Sequence, residues 1–245
     1  MNAIAGGGTL LTFPALVALG IPSIVANATS TVALWPGALG SMWGYRGELS
    51  GARPWAIRFA VPSVLGGLLG ALLLLVTPAD RFDLLVPFLV LGATLLFIAQ
   101  PPLLQWLRAR RARSGIADRE VGDGAGGPPS LGIMLYQFLI AIYGGYFGAG
   151  IGILMLAALG FMGLTNIHRM NGLKNWGGLC INAAAALTFA MTSLVDWSVA
   201  MAMAAGAIVG GYGGSRLAQR IPQVWVRRAI IVIGLGSGVW LMSQR

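Results

Sequence analysis

Residues 55–76 read WAIRFAVPSVLGGLLGALLLLV, and Arg58, near one end, is the only charged side chain among them. A helix needs about 20 mainly apolar residues to cross the hydrocarbon of a bilayer, so this stretch reads as a membrane span. Working outward, runs of the same kind lie at Ile24–Trp43, Leu84–Leu104, Leu131–Leu159, Ile167–Met191, Trp197–Leu217 and Ala229–Met242. A shorter, glycine-rich run covers Ala3–Leu19. Pro22, Pro54, Pro78 and Pro222 fall between runs, where a missing N–H does no harm. Trp43, Trp55, Trp106, Trp197 and Trp225 stand near run ends, as interfacial anchors do.

Composition agrees. Of 245 residues, 57% are hydrophobic and 9% charged, with a mean hydropathy of +0.79; too few polar side chains remain to clothe a soluble protein of this size. The net charge of +9 does not point to nucleic acid, because the arginines are confined to segments between apolar runs and are not interleaved with aromatics along one face. The lone Cys180 excludes an intrachain disulfide and a cysteine zinc cage, and one histidine excludes a polyhistidine metal site. No cofactor is expected. The chain therefore reads as all-α, a polytopic transmembrane helical bundle of about seven to eight segments, with the lipid bilayer as its obligatory partner.

Arg108–Ser130, RARRARSGIADREVGDGAGGPPS, is the long polar segment. It reads as a flexible, arginine-rich cytoplasmic linker over 105–130, between transmembrane halves at 1–104 and 131–245. Arg46, Arg53 and Arg58 share its side if two helices intervene. Arg216, Arg220, Arg227 and Arg228 conflict with this, since three single crossings from the linker would put them outside. Either one segment fails to cross fully or these arginines do something other than set topology.

The halves repeat each other. A constant shift of 144 residues carries Gly6 onto Gly150, Gly8 onto Gly152, Leu10 onto Leu154 and Asn27 onto Asn171. The same shift carries Gly66, Gly67 and Gly70 onto Gly210, Gly211 and Gly214, Pro78 onto Pro222 and Gly92 onto Gly236. Duplication of this kind is common in secondary transporters, whose substrate sites lie where the repeats meet. Met1 falls on Gly145, so Leu131–Gly144 has no counterpart. The expectation is that the first repeat lacks the front of its first helix, through a start placed too far downstream or a truncated gene.

Matched glycine clusters stand in AGGGTLLTFPAL (Gly6, Gly7, Gly8) and YGGYFGAGIGILML (Gly148, Gly150). Neither follows a strand, which removes a dinucleotide fold. Within a membrane they read as breaks in a helix, tolerated where the backbone faces protein or a water-filled cavity, and able to aim free N–H groups at an anion. Close helix packing through small residues is the plainer alternative. On the run Leu164–Ala183, the residues His168, Asn171, Asn175 and Asn182 fall within a sector of roughly 60°, with Gly178 beside it and Lys174 at its edge. Asn27 and Thr31 match Asn171 and Asn175, with Thr29 and Ser30 nearby. Two such faces brought together would make a pocket of amide and hydroxyl donors. Lys174 stands out, because an ammonium inside a membrane helix marks a partner or a substrate pathway, and Glu48, Asp80, Asp83 and Asp196 all sit near segment ends. The missing counter-ion could be the substrate itself; snorkelling of Lys174 and Arg169 to an interface is the alternative.

These residues resemble the sulfite exporter TauE/SafE family of membrane permeases. The features that match are GGGTLLTFPAL, the run Ala26–Thr31, and Tyr45-Arg46-Gly47 at a helix end. In the second half they are GAGIGILML, the Lys174 helix ending before Val195-Asp196-Trp197, and GAIVGGYGGSRLAQRIP. The resemblance implies a two-repeat permease for sulfite, organosulfonates or related small anions. The expected function is alternating access by two repeats in a cytoplasmic (inner) membrane, exporting an anion held by Gly6, Gly7, Gly8, Asn27, Thr29, Ser30, Thr31, Gly148, Gly150, His168, Asn171, Lys174 and Asn175. A homo-oligomer is possible on this reading, and neither an enzyme nor a metal site is expected. Two other classes stay open: a non-transporting membrane scaffold, and an intramembrane hydrolase using Ser30 or Ser41 with His168, though no glycine-framed serine accompanies either.

Overall fold

The computed structural model describes residues 8–44, 53–114, 131–161, 167–218 and 223–243. Among them stand nine helices and no strand: α1 (Gly8–Ala18), α2 (Ser23–Gly44), α3 (Arg53–Val76), α4 (Ala79–Ser114), α5 (Leu131–Tyr146), α6 (Ile151–Phe161), α7 (Ile167–Ala190), α8 (Trp197–Ala218) and α9 (Gln223–Ser243). Large apolar side chains face outward in numbers no water-exposed surface carries: Ile57, Val61, Leu65, Leu68 and Leu72 on α3, Leu84, Phe88 and Leu95 on α4, Val232 and Val239 on α9. α3 and α4 each contain a stretch long and apolar enough to cross a bilayer. The fold is a helical membrane bundle.

Leu131–Leu159 does not cross as one span. α5 has 16 residues and α6 has 11; at 1.5 Å per residue they reach about 24 Å and about 17 Å, each short of a hydrocarbon core of about 30 Å. The chain turns back between them. Gly148 and Gly150 both have φ of +80°, the left-handed backbone that glycine adopts without a Cβ clash, and Tyr143 Oη donates to Ala149 O at 2.8 Å to close the turn. Gln137 and Met155 lie far apart in sequence yet both approach Gly177 of α7. The pair α5–α6 is therefore a re-entrant hairpin whose tip is Phe147–Gly150. Hydropathy could not separate this from a single long span, because both bury the same apolar side chains.

Contacts along the helices set their directions. On α3, Ser63 takes the Gln137 amide at 2.9 Å, Gly66 meets Phe138 and Ala141, Gly70 meets Ile142, and Thr77 meets the Tyr146 hydroxyl at 3.4 Å. α3 thus runs parallel to α5. It also runs parallel to α7, with Trp176 Nε1 on Ala56 O at 2.8 Å near one end and Gly67 on Ile181 further along. α2 runs the other way: its Asn27 touches the hairpin tip through Tyr146 O at 2.9 Å. Its Thr29 accepts from the backbone N–H of Asp196, beyond the far end of α7, at 3.0 Å. α4 and α9 are antiparallel, pairing Arg227 with Phe97, Gly234 with Thr94 and Gly238 with Leu91.

Under the 144-residue shift α1 overlays α6, α2 overlays α7, α3 overlays α8 and α4 overlays α9, and the members of each pair run in opposite directions. The repeats are inverted. Their packing is correspondingly reciprocal: α3 lies on α7 as α8 lies on α2, α4 on α6 as α9 on α1, while α2 meets α7 and α4 meets α9 across the axis. Hence α3, a helix of the first half, packs chiefly on the second half, and the halves interlock. The hairpin also removes the arginine conflict, because α5–α6 returns to the end from which it came. Arg53 and Arg58 on α3, the arginines closing α4, Arg169 on α7, Arg216 on α8 and Arg227 and Arg228 on α9 all belong to helix turns at the linker end. Asp80, Asp83 and Asp196 stand at the far end. A second correction concerns the linker itself: residues 105–114 continue α4, since QWLRARRAR is made of helix-favouring residues, and the remainder lies outside the described residues.

Candidate functional site

The centre of the bundle is where α2 and α7 cross, flanked by the hairpin tip and the start of α1. A cavity of about 80 Å³ lies there, lined by Thr9, Thr31, Leu34, Ala38, Phe147, Gly148, Ile151, Gly152, Met155, Lys174, Asn175, Gly178, Leu179 and Asn182. A water needs about 10–15 Å³ measured this way, so the space suits a few waters or one small ion. The repeat shift pairs Thr31 with Asn175, Leu34 with Gly178 and Ala38 with Asn182, and all six line the cavity. The cavity thus sits on the pseudo-twofold axis, at the meeting of equivalent surfaces.

Its polarity is one-sided. Lys174 is 5% exposed, and no carboxylate lines the walls. Asn175 has its Nδ2 buried with no hydrogen-bond partner, a donor whose desolvation is uncompensated by the protein. Gly148, Ile151 and Gly152 bring the N-terminus of α6 to the wall and Thr9 brings that of α1; first-turn N–H groups there point outward along the helix axis, and the helix dipole adds positive potential. Gly178 has open space where a Cβ would stand, whereas its neighbour Gly177 is held by Met155, Gln137 and Phe59. One glycine faces the cavity and the next permits close packing.

The expected site residues divide into two groups. Thr31, Gly148, Lys174 and Asn175 are brought together at the cavity. Thr31 Oγ1, however, donates to Asn27 O at 2.8 Å, so it offers the cavity lone pairs and not the donor expected of it. Asn27, Thr29 and Ser30 lie elsewhere, tying α2 to its surroundings. Asn27 is 1% exposed and holds Tyr146 O, Thr29 holds the N–H of Asp196, and Ser30 shares a 2.7 Å hydrogen bond with Thr12. Together with the edge-to-face contact of Phe13 and Phe147, ring centroids 5.3 Å apart, these bonds fasten the hairpin tip toward the far end. Gly150 faces Ala93, which a Cβ there would touch at 3.6 Å, Gly8 opens α1 and accepts from Thr12 Oγ1 at 3.2 Å, and Asn171 is not part of the lining. Gly6, Gly7 and the His168 side chain lie outside the described residues.

Thr9, Gly152, Gly178 and Asn182 also line the wall, outside the expected site set. The signal for Gly178 and Asn182 was present, since both lie on the polar stripe of α7 and the shift maps them to Leu34 and Ala38.

A model of the family described as sulfite exporter TauE/SafE matches residues 1–241. The chain is 28% identical over 240 residues to a probable membrane transporter protein of Haemophilus influenzae, covering 95% of this chain and 86% of that one. It is 28% identical over 243 residues to the probable membrane transporter protein YfcA of Escherichia coli, covering 95% and 81%. A probable membrane transporter protein of a Sinorhizobium species is 25% identical over 251 residues, covering 100% and 88%. No solved structure matches. A match across nearly the whole length, on a bundle of inverted helical repeats around a central cavity, places this chain in the sulfite exporter TauE/SafE family, among membrane transporters.

Proposed function

We propose that the protein moves a small oxyanion, sulfite or a short organosulfonate, out of the cell across the cytoplasmic membrane by alternating access. The observation that carries this reading is the axial cavity, where one buried ammonium, an amide N–H group without a partner and two helix N-termini converge with no acid among the lining residues. Such a set favours an anion and disfavours a cation or a neutral solute. The inverted repeats supply the two-sided motion, since exchanging the arrangements of the two halves opens the same cavity to the opposite face. Placing the arginine-bearing linker end in the cytoplasm obeys the positive-inside rule. Export then runs with the field, an inside-negative potential assisting anion exit by about 2.3 kcal/mol per charge per 100 mV.

The test is flux from proteoliposomes loaded with sulfite, thiosulfate, sulfoacetate or a small carboxylate. Lys174→Ala is expected to abolish flux of the preferred anion while the protein still elutes as a folded species. Full activity in that variant removes Lys174 from the pathway. Preferential flux of a cation would overturn the reading.

A further inference from the structure

Pro101 and Pro102 stand inside α4. In an α-helix the carbonyl of residue i takes the N–H of residue i+4, and proline has none to give. The carbonyls of Phe97 and Ile98 therefore lack the i+4 donor of their own helix. Arg227 of α9 reaches across to both. Its Nη2 donates to Phe97 O and lies 3.4 Å from Ile98 O, and its guanidinium carbon stands 4.8 Å from the centre of the Phe97 ring. Among the described residues no other side chain hydrogen-bonds these two carbonyls, and a single guanidinium Nη carries two N–H groups, enough for two acceptors.

We propose that Arg227 stands in for the two amide donors that Pro101 and Pro102 withhold, and that it is a positioning residue for transport. It fixes this stretch of α4, and one turn earlier Ala93 faces Gly150, a left-handed residue of the hairpin tip whose neighbours Gly148 and Ile151 line the cavity. The structural half of this assignment stands by itself; its consequence for flux rests on the anion-transport reading above.

A mutant cycle separates the two. The full-length protein, Arg227→Gln, Pro101→Ala/Pro102→Ala and the combination of all three are purified in nanodiscs, and thermal unfolding is followed alongside sulfite flux. Arg227→Gln is expected to lower the unfolding midpoint by roughly 4 °C in the native background and by less than half as much once the prolines are replaced, because the restored N–H groups then satisfy both carbonyls. Equal losses in the two backgrounds overturn the assignment. In flux, Arg227→Gln lowers the maximal rate and leaves the half-saturating concentration unchanged, with Arg227→Lys recovering only part of the rate. A raised half-saturating concentration with an unchanged midpoint would make Arg227 a substrate contact and overturn it equally. Should the wild-type protein carry no sulfite, the transport reading fails while the thermal cycle still decides the role of Arg227.

Discussion

At the scale of single residues, α7 shows how adjacent positions in one helix take unlike tasks. Gly177 lets Met155 and Phe59 approach the backbone, while Gly178 leaves room in the cavity wall. Lys174 and Asn175 carry the chemistry beside them. Asn175→Asp changes almost nothing in shape but exchanges an unpartnered donor for an acceptor and a charge. Anion flux should fall by about tenfold or more, the equivalent of about 1.4 kcal/mol, with the deficit easing at acidic pH as the new carboxyl protonates. An unchanged rate would show that the amide does not meet the anion. The stripe carrying these residues was legible from helical periodicity. Asn27, Thr29 and Ser30 lie off the cavity because their partners, Tyr146, Asp196 and Thr12, belong to other parts of the chain whose placement no local pattern records.

At the scale of elements, the hairpin α5–α6 decides both the topology and the site. Its glycines signalled a break, and the arginines near α9 signalled that one segment did not cross, but neither indicated which way the chain left the break. That depends on Gly66 and Gly70 of α3 admitting the α5 backbone and on α6 packing back against α7, contacts between elements distant in sequence. The turn makes its own prediction. Gly150→Ala has space for its methyl against Ala93 but must hold φ at +80°, a strain of about 1–2 kcal/mol for an L-residue. Its unfolding midpoint should drop by a few degrees and its maximal flux should fall. A wild-type midpoint would mean that the tip relaxes without cost. Gly92→Ala, on the α4 face where a methyl meets nothing, serves as the control and should leave both unchanged.

For the whole molecule, inversion of the repeats explains why charge counting from the sequence gave contradictory sides for the arginine clusters. Once the hairpin returns to its own side, Arg53, Arg58, Arg169, Arg216, Arg227 and Arg228 fall at one end and the aspartates Asp80, Asp83 and Asp196 at the other. Single cysteines in a Cys180→Ser background test this directly. Ala109→Cys and Arg228→Cys are expected to react with a membrane-impermeant maleimide from the cytoplasmic face, and Asp80→Cys from the opposite one. Reaction of Arg228→Cys on the side of Asp80→Cys would reinstate a full crossing by Leu131–Leu159 and undo the inverted arrangement. The helical bundle class was readable from composition and the spacing of apolar runs. Opposed orientation was not, because two copies with matched sequence look alike whether they run parallel or antiparallel.

The most direct measurement fills the axial cavity without touching anything else. Gly178→Leu places a side chain where a Cβ meets no atom, and Gly206→Leu makes the same change on the outward face of α8, where a Cβ likewise meets none. In proteoliposomes at matched folding and reconstitution, sulfite flux should be lost in Gly178→Leu and retained in Gly206→Leu. Wild-type flux through Gly178→Leu would mean that the anion travels by another route.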